Sequence, residues 1–147
     1  MQTISKESLM RTLTAAECDD ILALAALIEA HHRVEIVRQP TKTLVMLRAK
    51  ESVKNELFYL GELLAMECLV RVDSQYGTSV LAGSDSQKCL ALAIIDAAHT
   101  ASFAEIEHIL PEINKLEEKR LNYLKQEAVT YAKTQVRFRV KEDRHVD

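Results

Sequence analysis

The sequence is poor in glycine and proline, and its few glycines exclude the two commonest nucleotide-binding loops. Its 147 residues include three glycines, two prolines and no tryptophan. A dinucleotide-binding fingerprint needs three closely spaced glycines, and a Walker loop needs a glycine followed by lysine and then serine or threonine. Gly61, Gly77 and Gly83 fit neither pattern, so neither class of nucleotide-binding fold is expected.

Long apolar runs, paired cysteines and a large net charge are also missing. The longest apolar run, Ile21 to Ile28, has eight residues, whereas a membrane span needs roughly 20, and the first residues lack a signal-peptide pattern. Cys18, Cys68 and Cys89 form no CxxC pair, which predicts buried thiols in a reducing compartment. The 19 basic and 22 acidic residues give a net charge of −3. We therefore expect a cytoplasmic protein that binds neither a membrane nor nucleic acid.

The hydrophobic pattern predicts one α+β domain over residues 1–147. It has N-terminal helices, an antiparallel sheet of about five to six strands, and two C-terminal helices, one of them long. A helix capped by Ser5 runs to about Ala16, and a second continues to about Ala30. Five strands joined by short polar turns are expected next, with Pro40 and Gly61 ending two of them. Their segments are 34–39, 44–47, 57–60, 67–72 and 79–82.

The C-terminal half predicts two helices and a short last strand. The first helix begins near Gly83 and is apolar from Cys89 to Ala98 except for Asp96. The second runs from about Pro111 to about Gln135, a length of ~38 Å, and carries a narrow apolar stripe. That stripe fits packing against another chain as well as it fits packing across this domain's own sheet. A sixth strand is expected at 136–140.

The sequence contains no HExxH or GxSxG motif, so neither a metal site nor a catalytic residue is predicted. Two segments stand out instead. Ser84 or Asp85 could cap the helix that follows Gly83, or that helix N-terminus could bind an anion. Asp96 needs a hydrogen-bond donor or ion-pair partner if it is buried, and otherwise must face solvent.

The second segment is the basic last strand. Arg137, Arg139 and Lys141 share one face because side chains alternate along a strand. They could contact a phosphate or an acidic partner, or simply discourage edge-to-edge aggregation. From the residues alone, the chain is an α+β domain with interaction surfaces and no assembled catalytic set.

The segment from Gly61 to Ala97 resembles the PhnG family, the G component of the bacterial phosphonate carbon–phosphorus lyase system. The resemblance is densest over residues 77–85, GTSVLAGSD, followed by the apolar run 89–95 and Asp96-Ala97. Weaker similarity extends from 33–37 to 136–140. Gly77, Gly83, Asp85 and Asp96 match the family pattern, as a structural or interface motif, and no catalytic residue can be transferred with them.

The resemblance implies that this chain forms a complex with subunits H, I and J, chiefly in contact with I. That complex transfers a phosphonate such as methylphosphonate onto the ribose C1 of ATP and releases adenine. It further implies that MgATP is a substrate of the complex, that this chain alone binds no cofactor, and that the isolated chain is inactive. Self-association also stays open.

Two other functions remain alternatives at this point. The chain could be a stand-alone homodimeric binding or scaffold protein with no enzymatic connection. It could also be a small independent enzyme that uses Asp85 or Asp96.

Overall fold

The computed structural model describes residues 5–134, which form four helices and a three-stranded antiparallel sheet. The α+β class is therefore confirmed. In chain order the elements are α1 (Lys6–Ala15), α2 (Cys18–Glu29), β1 (Val34–Lys50), β2 (Leu57–Val72), β3 (Gln75–Ala82), α3 (Ser86–Ala101) and α4 (Ala104–Ala132). None of the helices within 5–134 is long and apolar enough to cross a bilayer.

The first two helices follow their local signals. The hydroxyl of Ser5 accepts a hydrogen bond from the backbone N–H of Ser8 and so caps α1. In α2 the predicted face is buried, because residues at this spacing point to one side of a helix. Its members are Ile21, Leu24, Ala25 and Ile28.

The prediction of five separate strands is wrong, because two pairs of predicted strands are each one long strand. Pro40 does not end the first strand but lies inside β1, which occupies an edge of the sheet in the order β1-β2-β3. At an edge, the missing N–H of proline removes no ladder hydrogen bond. Register shifts between Ile36 and Arg38 and between Arg38 and Thr41 absorb the irregularity.

Gly61 is likewise a bulge rather than a strand end. Leu47 pairs with Gly61 and Arg48 with Tyr59, so Leu60 is an extra residue in β2. Gly61 has a φ of 151°, a conformation that residues with a side chain rarely adopt. β2 therefore continues without a break to Leu57. The predicted sixth strand, 136–140, lies outside the described residues.

The helices cover one face of the sheet, and α3 is the central element. It packs against all three strands, while α2 and α1 pack against it and α4 packs against α1. The side chains of β2 that face α3 are buried, namely Met66, Cys68, Val70 and Val72. On the opposite face of the sheet, Tyr76 and Val80 are exposed.

The last helix begins earlier than predicted. Ser102 adopts a left-handed conformation that ends α3, and α4 starts at Ala104 with Pro111 inside it. A proline inside a helix costs about 3 kcal/mol. Ile106, Ile109 and Ile113 are buried on one side of this segment, and burying a side chain of this size stabilises by about 1.5–3 kcal/mol. Helical folding on both sides of the proline is therefore favoured.

Candidate functional site

Gly77 is the point at which β3 and α3 approach most closely. A Cβ atom placed on Gly77 would lie 2.6 Å from the backbone nitrogen of Ala97 and 2.7 Å from its Cβ, and it would also overlap the carbonyl oxygen of Ala93. A real Cβ does not approach other atoms this closely. Glycine at this position therefore lets the backbone of the strand contact the backbone of the helix.

Asp96 lies next to this crossing and is 2% exposed. Its Oδ2 accepts a hydrogen bond from the backbone N–H of Thr78 at 3.0 Å. The ammonium group of Lys6 lies 2.8 Å from Oδ1 and 3.1 Å from Oδ2. A buried carboxylate requires such partners, so Asp96 ties α3 to β3 and to the start of α1.

Gly83 and Asp85 form the turn from β3 into α3. Gly83 has a φ of 101°. Its N–H donates a hydrogen bond to the carbonyl of Leu64, which is the last backbone hydrogen bond between β2 and the end of β3. The carboxylate of Asp85 accepts a hydrogen bond from the N–H of Lys88 at 2.9 Å, which lowers the pKa of Asp85. This helix N-terminus is therefore capped by a carboxylate of its own chain, which disfavours an external anion.

Lys88 links the same corner to α1. Its ammonium group donates hydrogen bonds to the carbonyl oxygens of Thr14 and Ala16, at 2.8 and 2.6 Å. These carbonyls lie at the C-terminal end of α1, where a cation is favoured by the helix dipole. The four motif residues 77, 83, 85 and 96 thus lie along one strand–turn–helix unit, and the contacts of Asp85 and Asp96 hold elements of this chain together.

The predicted basic face formed by Arg137, Arg139 and Lys141 lies outside the described residues. Its role as a phosphate or acidic-partner contact stays a prediction.

A second polar cluster is not predicted by any sequence pattern. His32 Nδ1 lies 2.7 Å from Asp73 Oδ2, and Nε2 lies 3.0 Å from Glu105 Oε2. The imidazole stacks on Phe103, with ring centroids 3.9 Å apart and an angle of 4° between planes. Hydrogen bonding to Asp73, followed by that to Glu105, raises the pKa of His32 despite opposing desolvation. Both ring nitrogens are engaged, so the cluster connects the α2–β1 turn, the β2–β3 turn and α4 rather than presenting a free base.

The cysteines are mostly in the interior. Cys68 and Cys89 are buried, whereas Cys18 is partly exposed, so the prediction of three buried thiols is wrong for Cys18. Burial raises the pKa of Cys68 to about 11 and also raises that of Cys89. A thiol must ionise to act as a nucleophile, so these two thiols are unreactive.

Within 5–134, no group of three or more His, Cys, Asp or Glu side chains is placed to hold a metal ion.

Many of the exposed apolar side chains of residues 5–134 lie where β1 and β2 extend beyond the end of β3. We call this segment the hairpin arm; it consists of residues 44–50 and 57–64 with the loop between them. β3 ends at Ala82, which pairs with Ala65, so the part of the chain that the structure describes contributes two strands to the arm. Its exposed apolar side chains are Leu44 (58%), Met46 (57%), Leu47 (37%), Leu57 (61%), Phe58 (46%), Tyr59 (57%), Leu60 (63%), Leu63 (39%) and Leu64 (45%).

The C-terminal half of α4 is also uncovered by the rest of residues 5–134. Glu117 accepts a hydrogen bond from Thr12 of α1 at 2.7 Å. Beyond this contact α4 borders a groove of about 930 Å³ beside the α1–α2 corner. Further along, Leu121, Leu124 and Tyr131 are exposed, at 42%, 44% and 66%. Among the described residues, the apolar stripe therefore packs along its first half, at Ile106, Ile109 and Ile113.

The comparisons with known proteins identify a family. The family described as phosphonate metabolism protein PhnG matches residues 5–141 of the chain. No curated protein matches the sequence. Because the matched range extends over nearly the whole chain, from before α1 to beyond α4, the chain belongs to the PhnG family of phosphonate-metabolism proteins.

Proposed function

We propose that this chain is a non-catalytic subunit of the carbon–phosphorus lyase core complex, where it acts with subunits H, I and J and chiefly contacts I. The family match over residues 5–141 carries this proposal. In the reaction of that complex, a phosphonate oxygen bonds to the ribose C1 of MgATP. The bond from that carbon to adenine breaks, and adenine leaves with a proton.

The contacts of the carboxylates support an accessory role. Asp96 is enclosed by Thr78 and Lys6, and Asp85 caps its own helix. A group that acts on a substrate has to reach it. Asp96 is buried, and Asp85 is exposed but its carboxylate already accepts a hydrogen bond from the start of α3. The same contacts disfavour the alternative of a small independent enzyme that uses Asp85 or Asp96.

The uncovered surfaces support a role in assembly. Large contiguous apolar patches are rare on monomers and are typical of protein–protein interfaces. Here the hairpin arm and the C-terminal half of α4 both expose such side chains. MgATP is a substrate of the complex in this proposal, and Arg137, Arg139 and Lys141 stay candidates for contacting a phosphate or an acidic partner.

Co-expression tests the assembly. This chain carries the tag and is produced with subunits H, I and J of the same organism, and the mass of the eluted particle is determined after size-exclusion chromatography. We expect one particle that contains all four chains. Adenine release from MgATP and methylphosphonate, compared with and without this chain, then tests whether it is required. If the tagged chain elutes without its partners, the proposal is wrong.

A stand-alone homodimeric scaffold is the second candidate. Leu121, Leu124, Ala128 and Tyr131 follow the alternating three- and four-residue spacing of a coiled-coil seam, and three of them are more than 40% exposed. Elution of the tagged chain alone as a dimer would favour this function.

A further inference from the structure

The hairpin arm has one face that continues the surface on which α3 packs. Along β2, Met66 faces α3, and Lys42 of β1 pairs with Met66. Side chains two residues apart in a strand share a face. The α3-side face of the arm therefore carries these cross-strand pairs: Leu44 with Leu64, Met46 with Glu62, Arg48 with Tyr59, and Lys50 with Leu57. The hydroxyl of Tyr59 also donates to the sulfur of Met46, which confirms that both lie on this face.

This face is apolar at its centre and large enough for a protein contact. Leu44, Met46, Leu57, Tyr59 and Leu64 are each 45–61% exposed. Together they expose on the order of 500 Å² of largely apolar surface, which is the size of patch that marks an interaction site. α3 begins only at Ser86, after the turn at Gly83, so no helix of the described chain covers the arm.

The charges on this face are predominantly positive. Arg48 and Lys50 lie on it, and Lys42 lies on the same face of the sheet just before the arm; none of the three takes part in an ion pair within residues 5–134. Glu62 is the one carboxylate among the paired residues of this face. On the opposite face of the sheet, by contrast, the cations are neutralised, because Arg38 pairs with Glu67 and Arg71 with Glu35.

This charge pattern indicates what kind of surface binds to the α3-side face of the arm. In a two-fold contact between copies, a patch meets itself, so three cations would face three cations with only two carboxylates between them. Like charges at an interface are unfavourable. A surface with an apolar centre and carboxylates at its rim complements both features of this face.

We propose that the α3-side face of the hairpin arm docks a partner subunit through an apolar surface bordered by aspartate or glutamate side chains. This rests on the proposed function, since the partner is another chain of the same complex. The arm then extends the core of this chain across the subunit boundary, and its unpaired cations bind the partner's carboxylates.

Photo-crosslinking tests which face is covered, and the arm offers a matched pair of positions. Phe58 and Tyr59 are neighbouring aromatic residues with similar exposure, 46% and 57%, on opposite faces. Each is replaced in turn by p-benzoylphenylalanine in the tagged chain co-expressed with subunits H, I and J. We expect the probe at Tyr59, and not at Phe58, to crosslink to a partner peptide flanked by carboxylates. Crosslinking at Phe58 alone, at both positions or at neither would overturn the assignment.

Double variants test how strongly each group of side chains on the arm contributes to partner binding. Leu44→Ser with Met46→Ser should weaken partner capture at least tenfold, because central side chains dominate interface stability. Separately, Arg48→Glu with Lys50→Glu should also weaken it at least tenfold, because the new carboxylates would face those of the partner. Leu47→Ser with Leu63→Ser removes two side chains from the other face and should change capture less than twofold. All six side chains are exposed, so the melting temperature by circular dichroism should be unchanged and loss of capture cannot be attributed to unfolding.

The remaining outcomes separate the two proposals. If the arm variants capture the partners as well as wild type does, the arm proposal is wrong and the proposed function stands. If the wild-type chain captures no partner, both are wrong. A crosslink from Tyr59 to a second copy of this chain would identify self-association instead. Flotation of wild type, but not of the arm variants, with phosphatidylglycerol vesicles would identify a membrane surface, and either result overturns the docking of a partner subunit.

Discussion

Replacing Gly77 with alanine tests the close crossing of β3 and α3. The new Cβ would lie 2.6 Å from the nitrogen of Ala97 and would overlap the carbonyl of Ala93. Both atoms belong to the backbone of α3, which cannot rotate away as a side chain can. The helix would have to move by about 1 Å to restore ordinary contact distances.

The expected loss in the free energy of unfolding has two contributions, and both result from that shift of α3. Forcing an extra carbon into a packed interior costs about 1–3 kcal/mol. The hydrogen bond from Thr78 to Asp96, now 3.0 Å long, would be stretched beyond its useful range, and a bond to a charged group contributes about 1.5–3 kcal/mol. We therefore expect Gly77→Ala to lower the free energy of unfolding by about 4 kcal/mol.

Urea unfolding followed by circular dichroism measures this difference, and Gly83→Ala is the matched control. A Cβ on Gly83 would contact nothing within 4 Å, but its φ of 101° makes alanine strained; we expect a loss of about 1–2 kcal/mol from that strain. A loss below about 1 kcal/mol for Gly77→Ala, or one no larger than that of Gly83→Ala, would refute the close crossing.

Four further variants or probes test the other contacts. Asp96→Ala should destabilise the chain by about 2–3 kcal/mol in urea unfolding, because it removes both the acceptor of the part-buried Thr78 N–H and the ion-pair partner of Lys6, and Asp96→Asn should cost less. The raised pKa of His32 stabilises the fold below pH 6.5 and loses this effect as pH rises through the folded value. His32→Gln should therefore destabilise the chain more at pH 6 than at pH 9, and equal losses would contradict the charged pairing. Arg120, with Thr12 assisting, lowers the pKa of Glu117 to about 2, so the loss caused by Glu117→Gln at pH 7 should shrink as pH falls from 4.5 towards 2. A thiol reagent at pH 8 should label Cys18 in the folded chain but reach Cys68 only after unfolding; early labelling of Cys68 would contradict its burial.

The elements predicted well are those whose signals are local. Ser5 caps α1, Asp85 caps α3, and the buried face of α2 follows its apolar spacing. Each depends on residues no more than one or two helical turns apart. Such interactions can be identified in the sequence without knowledge of the tertiary structure.

The strand boundaries depend on neighbours that the sequence does not reveal. Pro40 and Gly61 are turn-forming residues in isolation, and they therefore predict strand ends. In the sheet, Pro40 lies on an edge strand and Gly61 lies in a bulge, so pairing continues past both. The cluster of His32, Asp73 and Glu105 could not be predicted for a similar reason. Its members lie on three separate segments of the chain, and no local sequence pattern connects them.

The apolar run at residues 44–47 lies in the hairpin arm, and its exposure there is unusual for such a sequence. A continuously apolar strand is typical of a sheet covered on both faces. Within the described chain this segment is instead one of the most exposed, with Leu44 and Met46 more than half accessible. On the α3-side face, the apolar side chains of Leu44 and Met46 and their exposure agree if the cover comes from another chain, as the arm proposal requires. The surface that covers these residues must also carry negative charge. Burying the neighbouring unpaired cations against an uncharged surface would leave them without partners. An acidic rim on the docking subunit satisfies both the apolar pattern and the charge.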